Sequence, residues 1–134
     1  MKLYRPIGLT ELQLIAQSGW RAFPPRLDWQ PIFYPVLNRT YAIQIAERWN
    51  TPDEFSGYCG FVTEFEVDDA FVARYPVQTV GDADLHHELW VPSEQLAEFN
   101  AHLIGQIRVI DAFYGKNFGG EIDPSTRLPC GLSS

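Results

Sequence analysis

The sequence predicts an α+β domain built mostly from antiparallel strands, and three observations carry that prediction. Aromatic residues make up 14% of the 134 residues, a supply of large rings that suits sheet surfaces and apolar clefts. Phe61, Thr63, Phe65 and Val67 alternate with Glu64 and Glu66, the period-two pattern of a strand with one buried face. The predicted elements run β-α-β-α-β-β-β-α-β, and strands that do not alternate regularly with helices favour α+β over a doubly wound sheet. A chain of 15.3 kDa fits one domain, placed at residues 1–114, with a Gly-, Pro- and Ser-rich tail at 115–134 read as loop.

Residues 2–6 form a first short strand ended by Pro6. Thr10 is expected to cap the following helix, with Gln13 closing a capping box, Leu9 and Leu14 as a hydrophobic staple, and Gly19 as the stop. Residues 20–30, with Pro24 and Pro25, read as a loop held down by aromatics. Ile32, Phe33 and Tyr34 lie between Pro31 and Pro35 and form an edge-type strand. From Asn38 as N-cap, Tyr41, Ala42, Ile45, Ala46 and Trp49 share one helical stripe while Arg39, Glu47 and Arg48 fall elsewhere. Trp49, Ile45 and Phe65 are expected in the core.

Asp68 and Asp69 cap a short helical turn, residues 75–80 resume strand character, and Gly81-Asp82-Ala83-Asp84 turns the chain. In the strand at 86–91, Leu89 and Val91 face the core, and His86, Glu88 and Trp90 share the other face. Ser93 is expected to cap a helix reaching about Asn100, and residues 107–113 form the last strand.

Net charge is −7 with a pI near 4.8, which argues against extended nucleic-acid binding, since that rests on neutralising phosphates. A nucleotide-sized ligand is compatible. No stretch has the length and apolarity of a signal peptide or a membrane span, so a cytoplasmic location without membrane contact is expected. Cys59 and Cys130 lack metal-type spacing, and reduced thiols are the simplest reading, with a disulfide left open. Phosphate-loop motifs and G-x-S-x-G are absent. Asp82, Asp84, His86, His87, Glu88 and His102 are metal-type ligands, but on a strand His87 points away from His86 and Glu88, so no metal is expected.

Arg5 on the first strand suits a phosphate or carboxylate, and Tyr34 on the second offers a platform for a flat heterocycle. With Leu3-Tyr4-Arg5, Phe33-Tyr34 ahead of the helix Tyr41-Ala42-Ile43-Gln44-Ile45-Ala46, and Glu88-Leu89-Trp90-Val91-Pro92, the layout resembles ADP-ribosyltransferases over nearly the whole domain. It is similar in particular to small bacterial proteins of the family named "ADP-ribosylation/crystallin J1", and unlike the larger all-helical metal enzymes that share that label. The resemblance implies two small, mostly antiparallel sheets flanking an NAD-binding cleft, with peripheral helices. It implies Arg5, Tyr34 and Glu88 as catalytic residues. Tyr4, His86, Arg21 and Arg26 join Arg5 and Tyr34 as contacts to NAD, which is consumed as substrate.

In that family's chemistry the nicotinamide glycosidic bond breaks through an oxocarbenium-like state that a carboxylate stabilises, and ADP-ribose passes to an acceptor, here of unknown identity and possible as protein, nucleic acid or small molecule. The Ser-Thr-Ser element of arginine-specific members is absent from residues 32–36, and their Glu-x-Glu is here His86-His87-Glu88. The alternative is a noncatalytic nucleotide- or protein-binding module on the same scaffold. NAD-consuming RNA 2′-phosphotransferases share the broad fold, but need a basic RNA-facing surface that this charge does not provide.

Overall fold

The alternating stretch around Phe65 is the central strand. In a computed structural model describing residues 1–81 and 86–132, β3 (Cys59–Val67) lies between β1 (Lys2–Ile7) and β7 (Leu103–Tyr114), antiparallel to both. Two small antiparallel sheets accompany it: β2 (Ile32–Phe33) with β6 (Val91–Pro92), and β4 (Val77–Thr79) with β5 (His87–Leu89). Single bridges from Val36 to Tyr4 and to Glu88 join the sheets. The architecture is α+β, with small antiparallel sheets and a few short helices.

One face of β3 packs Phe61 and Phe65 with Leu3, Ile7, Phe33, Leu12 and Ile15, the last two from α1 (Leu9–Gln17), and with Phe99 from α4 (Leu96–Ala101). The other face sets Val62 and Val36 against Tyr41, Ala42 and Ala46. These come from α2 (Arg39–Ile45) and the π-helical turn Ala46–Asn50 that continues it. Asn38 caps α2 by accepting from the Tyr41 N–H at 3.2 Å, and Asp68 caps α3 (Asp69–Val72) through the Phe71 N–H at 2.9 Å, both as the sequence predicts.

Four expectations need correction. α1 begins two residues earlier, with Gly8 in place of Thr10 at its N-cap and without a side-chain cap; Thr10 lies inside it and Leu14 is exposed, so neither the capping box nor the staple forms. A Cβ on Gly8 would stand 2.8 Å from Ser56 Cα, so the close approach of the 51–57 loop fixes the helix start. Trp49 is not core: it is 71% exposed. The Thr51 N–H reaches the Ala46 carbonyl, five residues back, and this wider turn breaks the 3.6-residue spacing that would align Trp49 with Ile45.

Ser93 opens a 3-10 turn (Ser93–Gln95) and α4 follows, neither with a side-chain cap. β7 begins at Leu103, four residues before the predicted strand. Cys59 is buried, Cys130 exposed, and both are free thiols. The tail after Tyr114 returns over the core through Phe118, Leu128 and Leu132, tied by the Tyr114 hydroxyl to the Arg127 carbonyl at 2.6 Å. Asp82, Ala83 and Asp84 of the predicted turn lie outside the described residues. Among the described residues no helix is long and apolar enough to cross a membrane.

Urea unfolding of two variants tests this division of the chain. Phe65→Ala should cost about 3–5 kcal/mol as a core cavity, while Trp49→Ala should stay within about 0.5 kcal/mol of the parent.

Candidate functional site

The main cleft originates in a missing backbone donor. Tyr4 and Val36 exchange both backbone hydrogen bonds, at 2.9 and 2.7 Å. The next such pair in an antiparallel ladder lies two residues along, at Pro6 and Tyr34. Pro6 has no N–H to give, and the chain before Val36 turns instead to β6. In the register shared by Ile32–Pro92, Phe33–Val91 and Val36–Glu88, Tyr34 stands opposite Trp90. Between the diverging segments opens a cleft of about 540 Å³, within the usual range for small-molecule sites.

At one end of the cleft, Arg5 gives Nε and Nη2 to the two oxygens of Glu11 at 2.7 and 3.0 Å. Its guanidinium also stacks 4.7 Å from the Phe33 ring centroid and 5.9 Å from that of Tyr34. Arg26 Nη1 lies 3.8 Å from the same carboxylate. The Arg26 side chain is only 10% exposed and its Nε has no hydrogen-bond partner among the described residues. Burial, reinforced by the neighbouring Arg5 charge, pulls its pKa below the ordinary arginine value. Two guanidiniums therefore share one carboxylate, leaving a buried net positive charge suited to an anionic group.

On the far wall, Tyr41 lines the cleft and donates its hydroxyl to Glu88 Oε2 at 2.9 Å, while Trp90 Nε1 donates to Oε1 at 2.7 Å. Glu88 is 7% exposed, and each oxygen has a neutral donor. The Tyr41 ring stacks on His86 with centroids 4.3 Å apart, and His86 Nε2 lies 3.2 Å from Gln44 Oε1. Burial first, and the Glu88 hydrogen bond and charge second, push the Tyr41 phenol up to about 12.

The structure brings Arg5, Arg26 and Tyr34 together in the cleft and sets Glu88 one hydrogen bond behind its wall. Paired residues of a ladder share a face, so Tyr4, Val36 and Glu88 form a row on one side while Arg5 points to the other with Leu3 and Ile7. Arg5 and Glu88 thus approach the cleft from opposite faces, with Tyr41 between. Tyr4 packs against the α2 cluster, His86 stacks on the Tyr41 ring, and neither they nor exposed Arg21 line the cleft.

Sequence reasoning missed Tyr41, read as one more member of the helical stripe, and Glu11, whose only signal was a carboxylate in the first turn after an arginine-bearing strand. The metal-type residues scatter: His87 Nδ1 meets Thr79 Oγ1 at 3.2 Å and His102 stacks on Phe71 at 4.2 Å. Among the described residues no group of three could hold a metal ion; Asp82 and Asp84 lie outside them. Comparison of the chain with protein-family models, with curated proteins and with solved structures found no match in any of the three.

The Tyr41 phenol sets a pH dependence. An unfolded tyrosine ionises near pH 10 and folded Tyr41 near 12, so the unfolded chain loses this proton first. Its contribution to stability is complete below pH 10 and is lost as pH rises from 10 to 12. Denaturant midpoints of Tyr41→Phe measured across that window should fall less steeply than those of the parent.

Proposed function

We propose that the chain is an NAD-consuming, ADP-ribosyltransferase-like enzyme of the cytoplasm, and that its two flanking small sheets form a variant of that fold. The observation that carries this reading is the shared pair Arg5 and Arg26, set beside the Tyr34 ring and facing the Glu88-bound Tyr41 hydroxyl. The arginines would hold the diphosphate, and Tyr34 would stack on the nicotinamide ring. The negative charge of Glu88, behind Tyr41 in a poorly hydrated wall, would favour the positive charge that develops on the ribose. The bond between ribose C1′ and the nicotinamide nitrogen breaks with its electron pair leaving on nicotinamide. An acceptor nucleophile then supplies a pair to C1′ and gives up its proton.

A second reading has its own observation: both Glu88 oxygens are already held by Tyr41 and Trp90, as in a site that binds a nucleotide without cleaving it. One experiment separates the two. NAD is titrated by calorimetry into the parent and Glu88→Gln while released nicotinamide is followed. The enzyme reading expects binding by both proteins and release reduced at least about 100-fold in the variant. Binding by both without release from either assigns the noncatalytic module, and absence of binding contradicts both readings.

A further inference from the structure

The opposite end of the cleft carries chemistry of the other sign. Trp49 and Phe55 both line it and are 71% and 68% exposed. Large rings left in water inside a concavity mark a contact surface. Phe55 is braced edge-on by Trp29, with centroids 6.5 Å apart. Between them in sequence, Asp53 Oδ2 accepts from the Ser56 N–H at 3.0 Å and from the Ser56 hydroxyl at 2.7 Å, which orients the carboxylate. Its Oδ1 has no donor among the described residues. Asn50 gives Nδ2 to Ser56 Oγ at 3.0 Å, and its own Oδ1 is buried without a donor among the described residues. This end offers acceptors and π faces, whereas the Arg5 side offers donors; beyond Arg5 the chain runs through Ile7 to Gly8, where a Cβ would stand 2.8 Å from Ser56 Cα.

We infer that this end is a subsite for a flat, delocalised nitrogen cation, a guanidinium or a pyridinium, resting on the faces of Trp49 and Phe55 with its charge against Asp53. Aromatic faces attract such cations most strongly where water is partly excluded. A planar ion gains more from stacking than a compact ammonium does. The subsite does not depend on whether NAD is cleaved, because it recognises a charge carried by a ring or a guanidino group and not a diphosphate.

The experiment is calorimetric titration of the whole chain with 1-methylnicotinamide, with agmatine and with neutral nicotinamide, repeated on Asp53→Asn and Trp49→Ala. Both variants change exposed side chains, and asparagine keeps the oxygen that Ser56 needs. At least one cation should bind about tenfold more tightly than nicotinamide, and each variant should lose about tenfold of that affinity. Preference for 1-methylnicotinamide assigns the subsite to a pyridinium ligand other than the ring that Tyr34 would stack on, and preference for agmatine assigns it to a guanidino ligand. Equal binding of charged and neutral rings, unchanged affinity in Asp53→Asn, or no cation binding would overturn the proposal. None of these outcomes bears on nicotinamide release, so this inference and the transferase reading fail independently.

Discussion

The missing N–H of Pro6 shapes most of what surrounds the cleft. A residue with a backbone donor at that position could have carried the Tyr4–Val36 pairing onward to Tyr34 and zipped β1 to the neighbouring chain. With the ladder stopped, the segment before Val36 pairs with β6, and the end of β1 keeps a free edge. Arg5 sits where that edge begins, so its guanidinium can stack on Phe33 and still reach Glu11. The same divergence lets Tyr34 and the loop bearing Arg26 enter the cleft.

Burial then turns geometry into electrostatics. An arginine taken out of water needs compensation, and here Glu11 serves one guanidinium fully and the second only at 3.8 Å. Across the cleft, Glu88 is held by two neutral donors and, among the described residues, by no ion pair, so its charge is stabilised without being cancelled. The two walls therefore keep opposite polarity a short way apart, an arrangement of use to a ligand that carries negative charge along its length and develops positive charge at one atom.

Much of the scaffold was legible because it rests on local rules. The alternation around Phe65 located β3, and Asn38 and Asp68 marked helix starts by their capping chemistry. Trp49 escaped because a π turn changes the period on which helical stripes depend, and the start of α1 escaped because a close approach at Gly8 outweighed the capping preference of Thr10. Of the site, Arg5 and Tyr34 could be named from residue type and strand position, and Arg26 only as a loop arginine that the resemblance implied, together with Arg21, which does not line the cleft. Glu11 and Tyr41 could not, since what matters in each is a partner distant in sequence: Arg26 fifteen residues from Glu11, and Glu88 47 residues from Tyr41.

The account stands on the Arg5 and Arg26 end of the Pro6-opened cleft being the place where an anionic nucleotide binds. The most direct test is backbone and side-chain NMR of the labelled protein titrated with ADP-ribose. The account predicts shift changes centred on Arg5, Arg26, Tyr34 and Tyr41, with the Arg26 Nε proton among the most affected. Shifts clustered on β7 or the C-terminal tail, with the arginine side chains unmoved, would contradict it.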